Sequence, residues 1–121
     1  LGGQQSRPNI HIEDMVAVYL FLINRRDLTG IFNAGFENLT VLQIAELVSE
    51  KTGASINIEK SNDPRSYSLD SNKLLSAGFK PLKTVRHAVD EVAEKVSSAD
   101  FEITARNYNV RTMKEILGIG A

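Results

Sequence analysis

Nine consecutive residues, Met15-Val16-Ala17-Val18-Tyr19-Leu20-Phe21-Leu22-Ile23, contain no charge, no glycine and no proline. A run of this kind favours a helix that is apolar on every face, and such a helix needs neighbours on more than one side. At about 14 Å it falls well short of a bilayer's hydrocarbon core. No basic segment followed by an apolar stretch and small residues precedes it in the manner of a signal peptide. The cover must therefore come from protein. A chain of 121 residues has room for one domain with a modest core. Fourteen Lys and Arg against fifteen Asp and Glu leave a formal charge of −1, so neither nucleic acid nor an anionic membrane is expected as a partner. The chain has no cysteine, which excludes disulfides and thiolate chemistry. Its two histidines, His11 and His87, lie far apart, so no metal centre is expected. These features set the expectation of a soluble, cytoplasmic protein, and the opening Leu-Gly-Gly reads as part of something longer.

The remaining elements can be placed in order. Pro8 disfavours helix at the residue before it, and Ile10 and Ile12 alternate with Asn9 and His11, so residues 7–12 are predicted to be extended. Glu13 and Asp14 should then open the apolar helix, placing negative charge at its positive end. A histidine between a strand and a helix start is expected to be a satisfied structural donor before it is a ligand. A short strand is predicted across Gly30–Gly35, centred on Ile31–Asn33. Thr40 and Gln43 form a capping box, and Val41, Ile44, Ala45 and Val48 make a helical stripe that Gly53 ends. Ile56–Ile58 reads as a second strand, and Asn62-Asp63-Pro64 as a turn. Asp70 or Ser71 caps a short helix over Asn72–Ala77. Thr84 caps another, with Val85, Ala88, Val89, Val92, Ala93 and Val96 on one face. On that helix a Glu91–Lys95 pair is expected on the other face, and His87 in solvent. After an irregular polar tail, a capping box at Thr112–Glu115 should start a last helix. The fold class is mixed α/β and helix-rich, a single small domain over residues 1–121 with short strands and four to five helices.

Between the turn and the helix at Asn72, Arg65-Ser66-Tyr67-Ser68 is polar and extended. An arginine displayed there offers a planar fork of donors that matches phosphate or carboxylate oxygens. The run Arg65-Ser66-Tyr67-Ser68-Leu69-Asp70-Ser71-Asn72-Lys73, continued by Gly78-Phe79-Lys80-Pro81, resembles the C-terminal substrate-binding part of the NAD-dependent epimerase/dehydratase family. These are extended short-chain dehydrogenases acting on nucleotide sugars. Ser6-Arg7-Pro8-Asn9-Ile10-His11-Ile12-Glu13-Asp14 is similar to the same family's Arg-[Asp/Pro]-x-x-His-[Val/Ile]-x-Asp segment. The resemblance implies that Arg7 and a second cation hold the substrate diphosphate. Arg65 and Lys60 both qualify for the second place, and Arg65 is preferred because a fork holds two oxygens where an ammonium offers one point charge. His11, Tyr67 and Asn107 are candidates for lining the pocket.

The family's catalytic parts are missing. No glycine-rich dinucleotide turn occurs, and four residues after Tyr19, Tyr67 and Tyr108 come Ile23, Ser71 and Thr112 rather than the lysine of a Tyr-x-x-x-Lys pair. The resemblance thus implies a nucleotide-sugar-binding portion that is not catalytic by itself and binds no cofactor. NAD would belong to an absent N-terminal Rossmann domain of the parent enzyme. That domain, or a second copy of the chain, is the expected partner for Met15–Ile23 and for the strand at Ile31–Asn33. Two other classes remain open at this point: a standalone non-catalytic binding or regulatory module, and a protein-interaction domain built on the apolar helix.

Overall fold

The computed structural model describes residues 2–60, 62, 64–99, 101–104 and 107–118. Asp63 of the expected turn, and Arg106 of the polar tail, lie outside the described residues. The chain forms β1 (Ser6–Asn9), α1 (Ile12–Ile23), β2 (Glu37–Thr40), α2 (Val41–Thr52), α3 (Asn72–Ser76), α4 (Val85–Ser97) and α5 (Asn109–Leu117). This is a small, helix-rich α/β fold. Among the described residues no helix is long and apolar enough to cross a membrane.

β1 and β2 pair antiparallel, with Ser6 opposite Thr40 and Asn9 opposite Glu37, so α1 is carried in the connection between two paired strands. The helix begins one residue before the acidic pair expected to open it, because His11 is its N-cap. The His11 backbone is extended (φ −69°, ψ 144°), and its Nδ1 accepts the Glu13 amide. α2 starts on the expected box. Thr40 Oγ1 accepts the Gln43 amide, Gln43 Oε1 accepts the Thr40 amide, and Gly53 closes the helix at φ 73°, a conformation glycine adopts without strain. For α3, Asp70 supplies the cap, taking the Asn72 amide at 2.8 Å.

α4 opens at Thr84 with a box whose returning partner is His87, not an acid. His87 Nδ1 accepts the Thr84 amide at 3.0 Å, and Glu37 of β2 reaches across to the Val85 amide. Negative charge at that end also suits the helix dipole. α2 and α4 lie against each other. Their outer sides are laced by Lys51 to Asp90 (3.0 Å) and Glu94 (3.4 Å), and by Arg86 to Glu50 (3.0 Å). Val92 and Val96 of the expected apolar face stay exposed.

The core is small. Val18 of α1, Leu74 of α3 and Phe79 just after α3 form its centre, with Ile10, Ala17, Phe21, Leu22, Phe32, Ala34 and Phe36 around them. Phe79 stacks on Phe36 (centroids 5.4 Å apart, planes at 18°) and meets Phe21 edge-on (5.6 Å, 72°).

Four expectations are corrected. Residues 31–33 do not form a strand, and neither do residues 56–58. The alternation at Phe32, Ala34 and Phe36 does turn those side chains to the core. Their backbone, however, is met by side chains. Ser71 Oγ takes the Gly35 amide (3.0 Å) and donates to the Gly35 carbonyl (2.9 Å), while Asn33 Nδ2 donates to the Asp70 carbonyl (3.1 Å). The fit at Gly35 is close: a Cβ there would sit 3.0 Å from Leu69 Cδ2 and 3.2 Å from Pro8 Cβ, so a neighbour would have to give by a few tenths of an ångström. Residues 56–58 keep their side chains exposed, so nothing rewards pairing them. Glu91 does not pair with Lys95; Lys83 and His11 take its carboxylate instead. Finally, α5 begins at Asn109 after Tyr108, which leaves Thr112 and Glu115 inside the helix, where Glu115 bonds Arg111.

Candidate functional site

β1 places Arg7 beside the extended segment 65–68. The Tyr67 amide donates to the Ser6 carbonyl at 3.2 Å, and the Ser6 amide donates to Ser66 Oγ at 3.0 Å, so the segment is laid along the strand. Ser6 Oγ and Ser68 Oγ lie 3.4 Å apart. Sequence reasoning passes over Ser66 and Ser68, whose role depends on contacts with Ser6 about sixty residues away.

The Arg7 guanidinium lies over the Tyr67 ring, 5.2 Å from its centroid, and its Nη1 donates to the carbonyls of Ser6 (3.0 Å) and Arg65. A ring below and carbonyls at one nitrogen fix the plane of the fork, which lowers the entropy lost when it holds an anion. The Arg7 guanidinium therefore meets the Tyr67 ring and the backbone carbonyl of Arg65, 58 residues away in sequence. Ser68, the residue after Tyr67, lines an open cleft of about 430 Å³ together with Gly35, Asn38, Asp70, Ser71 and Asn72, among others. That volume falls in the range of small-molecule sites. Asn38 ties the cleft wall to β2, donating to the Leu69 carbonyl (3.1 Å) and accepting the Leu69 amide (2.8 Å).

The other expected residues are placed elsewhere or apart. Lys60 is exposed, and no described hydrogen bond or ion pair joins it to Arg7 or Tyr67. Asn107 closes its own turn, its Oδ1 accepting the Thr104 amide at 2.8 Å. His11 is buried at the start of α1. Its Nδ1 accepts from Glu13, so the ring proton sits on Nε2 and is donated to Glu91 at 3.2 Å.

His11 thereby belongs to a separate polar cluster. Lys83 Nζ holds Glu91 at 2.7 Å and Glu13 at 3.5 Å. The Asp14 carboxylate, in the first turn of α1, accepts the amides of Leu82 (3.0 Å) and Lys83 (3.0 Å). The Lys83 hydrogen bond, then its charge, holds the Glu91 carboxyl below the usual glutamate range. The bond to Glu91 in turn raises Lys83. A carboxyl with a depressed folded pKa stabilises above its unfolded value of about 4.5, and that contribution is lost as the pH falls through the folded value. Chemical denaturation of wild type and Glu91→Gln should therefore differ at pH 7 and converge as the pH falls through the lowered Glu91 value. A difference that persists in acid would separate Glu91 from this linkage. Among the described residues, no group of three His, Asp or Glu side chains could hold a metal ion.

Comparison with protein-family models and with curated proteins gives no match to this chain.

Proposed function

We propose that the chain is the nucleotide-diphosphate-sugar-binding portion of an NAD-dependent epimerase or dehydratase. In this reading it acts in the cytoplasm, and the catalytic pair and the NAD site belong to a partner domain. The observation that carries the reading is the Arg7 guanidinium held on the Arg65 carbonyl and over the ring of Tyr67, one residue before Ser68, which lines an open cleft. The two arginines belong to the two segments on which the family resemblance rests. Two guanidinium forks suit the four outer oxygens of a diphosphate, and an aromatic ring under one fork holds it in place. The cleft beyond Tyr67, lined by hydroxyl and amide side chains, suits the hydroxyls of a sugar. The Asp70 carboxylate at the cleft is turned to the Asn72 amide and serves the helix cap, not the ligand. With half the pocket supplied by another domain, binding is weak.

Titration of UDP-, dTDP-, GDP- and CDP-sugars, followed by NMR, tests this. Wild type should bind at least one of them with a Kd near 1 mM, about −4 kcal/mol. Arg7→Ala and Arg65→Ala should each weaken that binding about tenfold, a charge-assisted contact of roughly 1.4 kcal/mol. Added salt should weaken it further, and NAD should give no specific shift. Equal binding by the three proteins would remove the arginine clamp.

A further inference from the structure

The 13.4 kDa chain exposes 9214 Å², where a folded monomer of this mass exposes about 6,500 Å². The excess, about 2,700 Å², exceeds what one partner contributes to an ordinary interface, about 800 Å², and reaches the range of obligate assemblies. Two apolar stripes contribute to it. On α1, Ile12, Val16, Tyr19, Leu20 and Ile23 recur at helical spacing and are all more than half exposed, while Val18 on the same helix is buried. On α5, Val110, Met113, Ile116 and Leu117 make a second stripe, also more than half exposed, with Arg111, Lys114 and Glu115 between them. Side chains of these kinds contribute roughly 1.5–3 kcal/mol each when fully buried, so neither stripe is a stable surface in water.

We infer that α5 of one copy docks on the α1 face of a second copy, and that the exchange is reciprocal about a two-fold axis. Each copy carries both halves of the contact, so a single two-fold operation forms it twice, and the second contact closes within the assembled pair. The lengths agree: α5 spans about 14 Å and α1 about 18 Å. The connecting residues 98–108 can reach about 35 Å. Their described hydrogen bonds are local ones, such as Phe101 to Ser98 and Asn107 to Thr104, and hold the arm to no other element. In the pair each copy buries both of its stripes, one in each of the two contacts. The inference stands apart from the diphosphate reading, because it uses neither Arg7 nor Arg65.

Sedimentation of the full chain across a concentration series tests it. Wild type should form a dimer at tens of micromolar. Leu20→Glu and Ile116→Lys alter exposed residues only, and each should weaken the dimer at least tenfold while leaving the circular dichroism spectrum unchanged. An equimolar mixture of the two variants should recover dimer, since one of the two contacts then pairs a carboxylate with an ammonium and the other keeps its native residues. A wild-type monomer at high concentration would overturn the inference, as would a dimer indifferent to Ile116→Lys.

Discussion

Phe79→Ala is expected to lower the free energy of unfolding by about 3–5 kcal/mol. Phe79 is 6 % exposed and joins three parts of the core, stacking on Phe36, meeting Phe21 of α1 edge-on, and packing beside Leu74 of α3. Truncation removes the transfer energy of the ring and both aromatic pairings. It also leaves a cavity that its neighbours cannot collapse into, because each is held by a different element. Domains are stable by about 5–15 kcal/mol, and one with so few buried side chains has little to spare. Urea denaturation should show the midpoint falling steeply at constant slope. Phe79→Leu, which keeps most of the volume, should lose much less. A loss under about 1 kcal/mol for Phe79→Ala would mean that the aromatic cluster is not the centre of the fold.

Asp14→Ala is expected to cost about 2–3 kcal/mol, by a different route. The carboxylate is 2 % exposed and binds the loop before α4 to the first turn of α1 through the Leu82 and Lys83 amides. Alanine leaves those amides without their acceptor and removes negative charge from the helix N-terminus. Loss of that anchor also frees Lys83, whose side chain holds Glu91 and Glu13. Asp14→Ala and Glu91→Gln should therefore be non-additive by at least about 0.5 kcal/mol in a double-mutant cycle. Simple additivity would show that the loop is held in place without Asp14. Asp14→Asn, which keeps one acceptor oxygen, should fall between wild type and alanine.

The elements that could be read from the sequence are those that local chemistry specifies. Thr40 with Gln43, Gly53 and the stripe between them describe α2 completely, and Thr84 does nearly as much for α4. β2 was hidden because Glu37-Asn38-Leu39-Thr40 has one apolar residue. It is a strand because β1, about thirty residues away, pairs with it. The strand expected over Gly30–Gly35 failed because Phe32 and Ala34 reach the core while the Gly35 backbone finds a side chain, that of Ser71, in place of a ladder. Spacing alone paired Glu91 with Lys95, whereas Lys83 reaches it because Asp14 pins the loop that carries Lys83. At the candidate site, the arginines and Tyr67 could be named from residue type and resemblance. Their meeting, and the serines that lay one segment along the other, depend on contacts about sixty residues apart that no local pattern encodes.

The side-chain rungs from Asn33, Asn38 and Ser71 to residues 35, 69 and 70 bear on how readily this backbone could pair with another chain. A backbone held by amide and hydroxyl side chains has its polar groups already engaged, and it offers an incoming chain no row of open donors and acceptors to copy. Here the rungs are short and irregular, with both groups of Gly35 taken by a single oxygen. An amyloid-like ladder would first have to break several of them. At residues 35, 69 and 70, contact with another chain is thus left to side chains, where partners are chosen by shape and spacing, and kept off the backbone, where almost any extended chain would do.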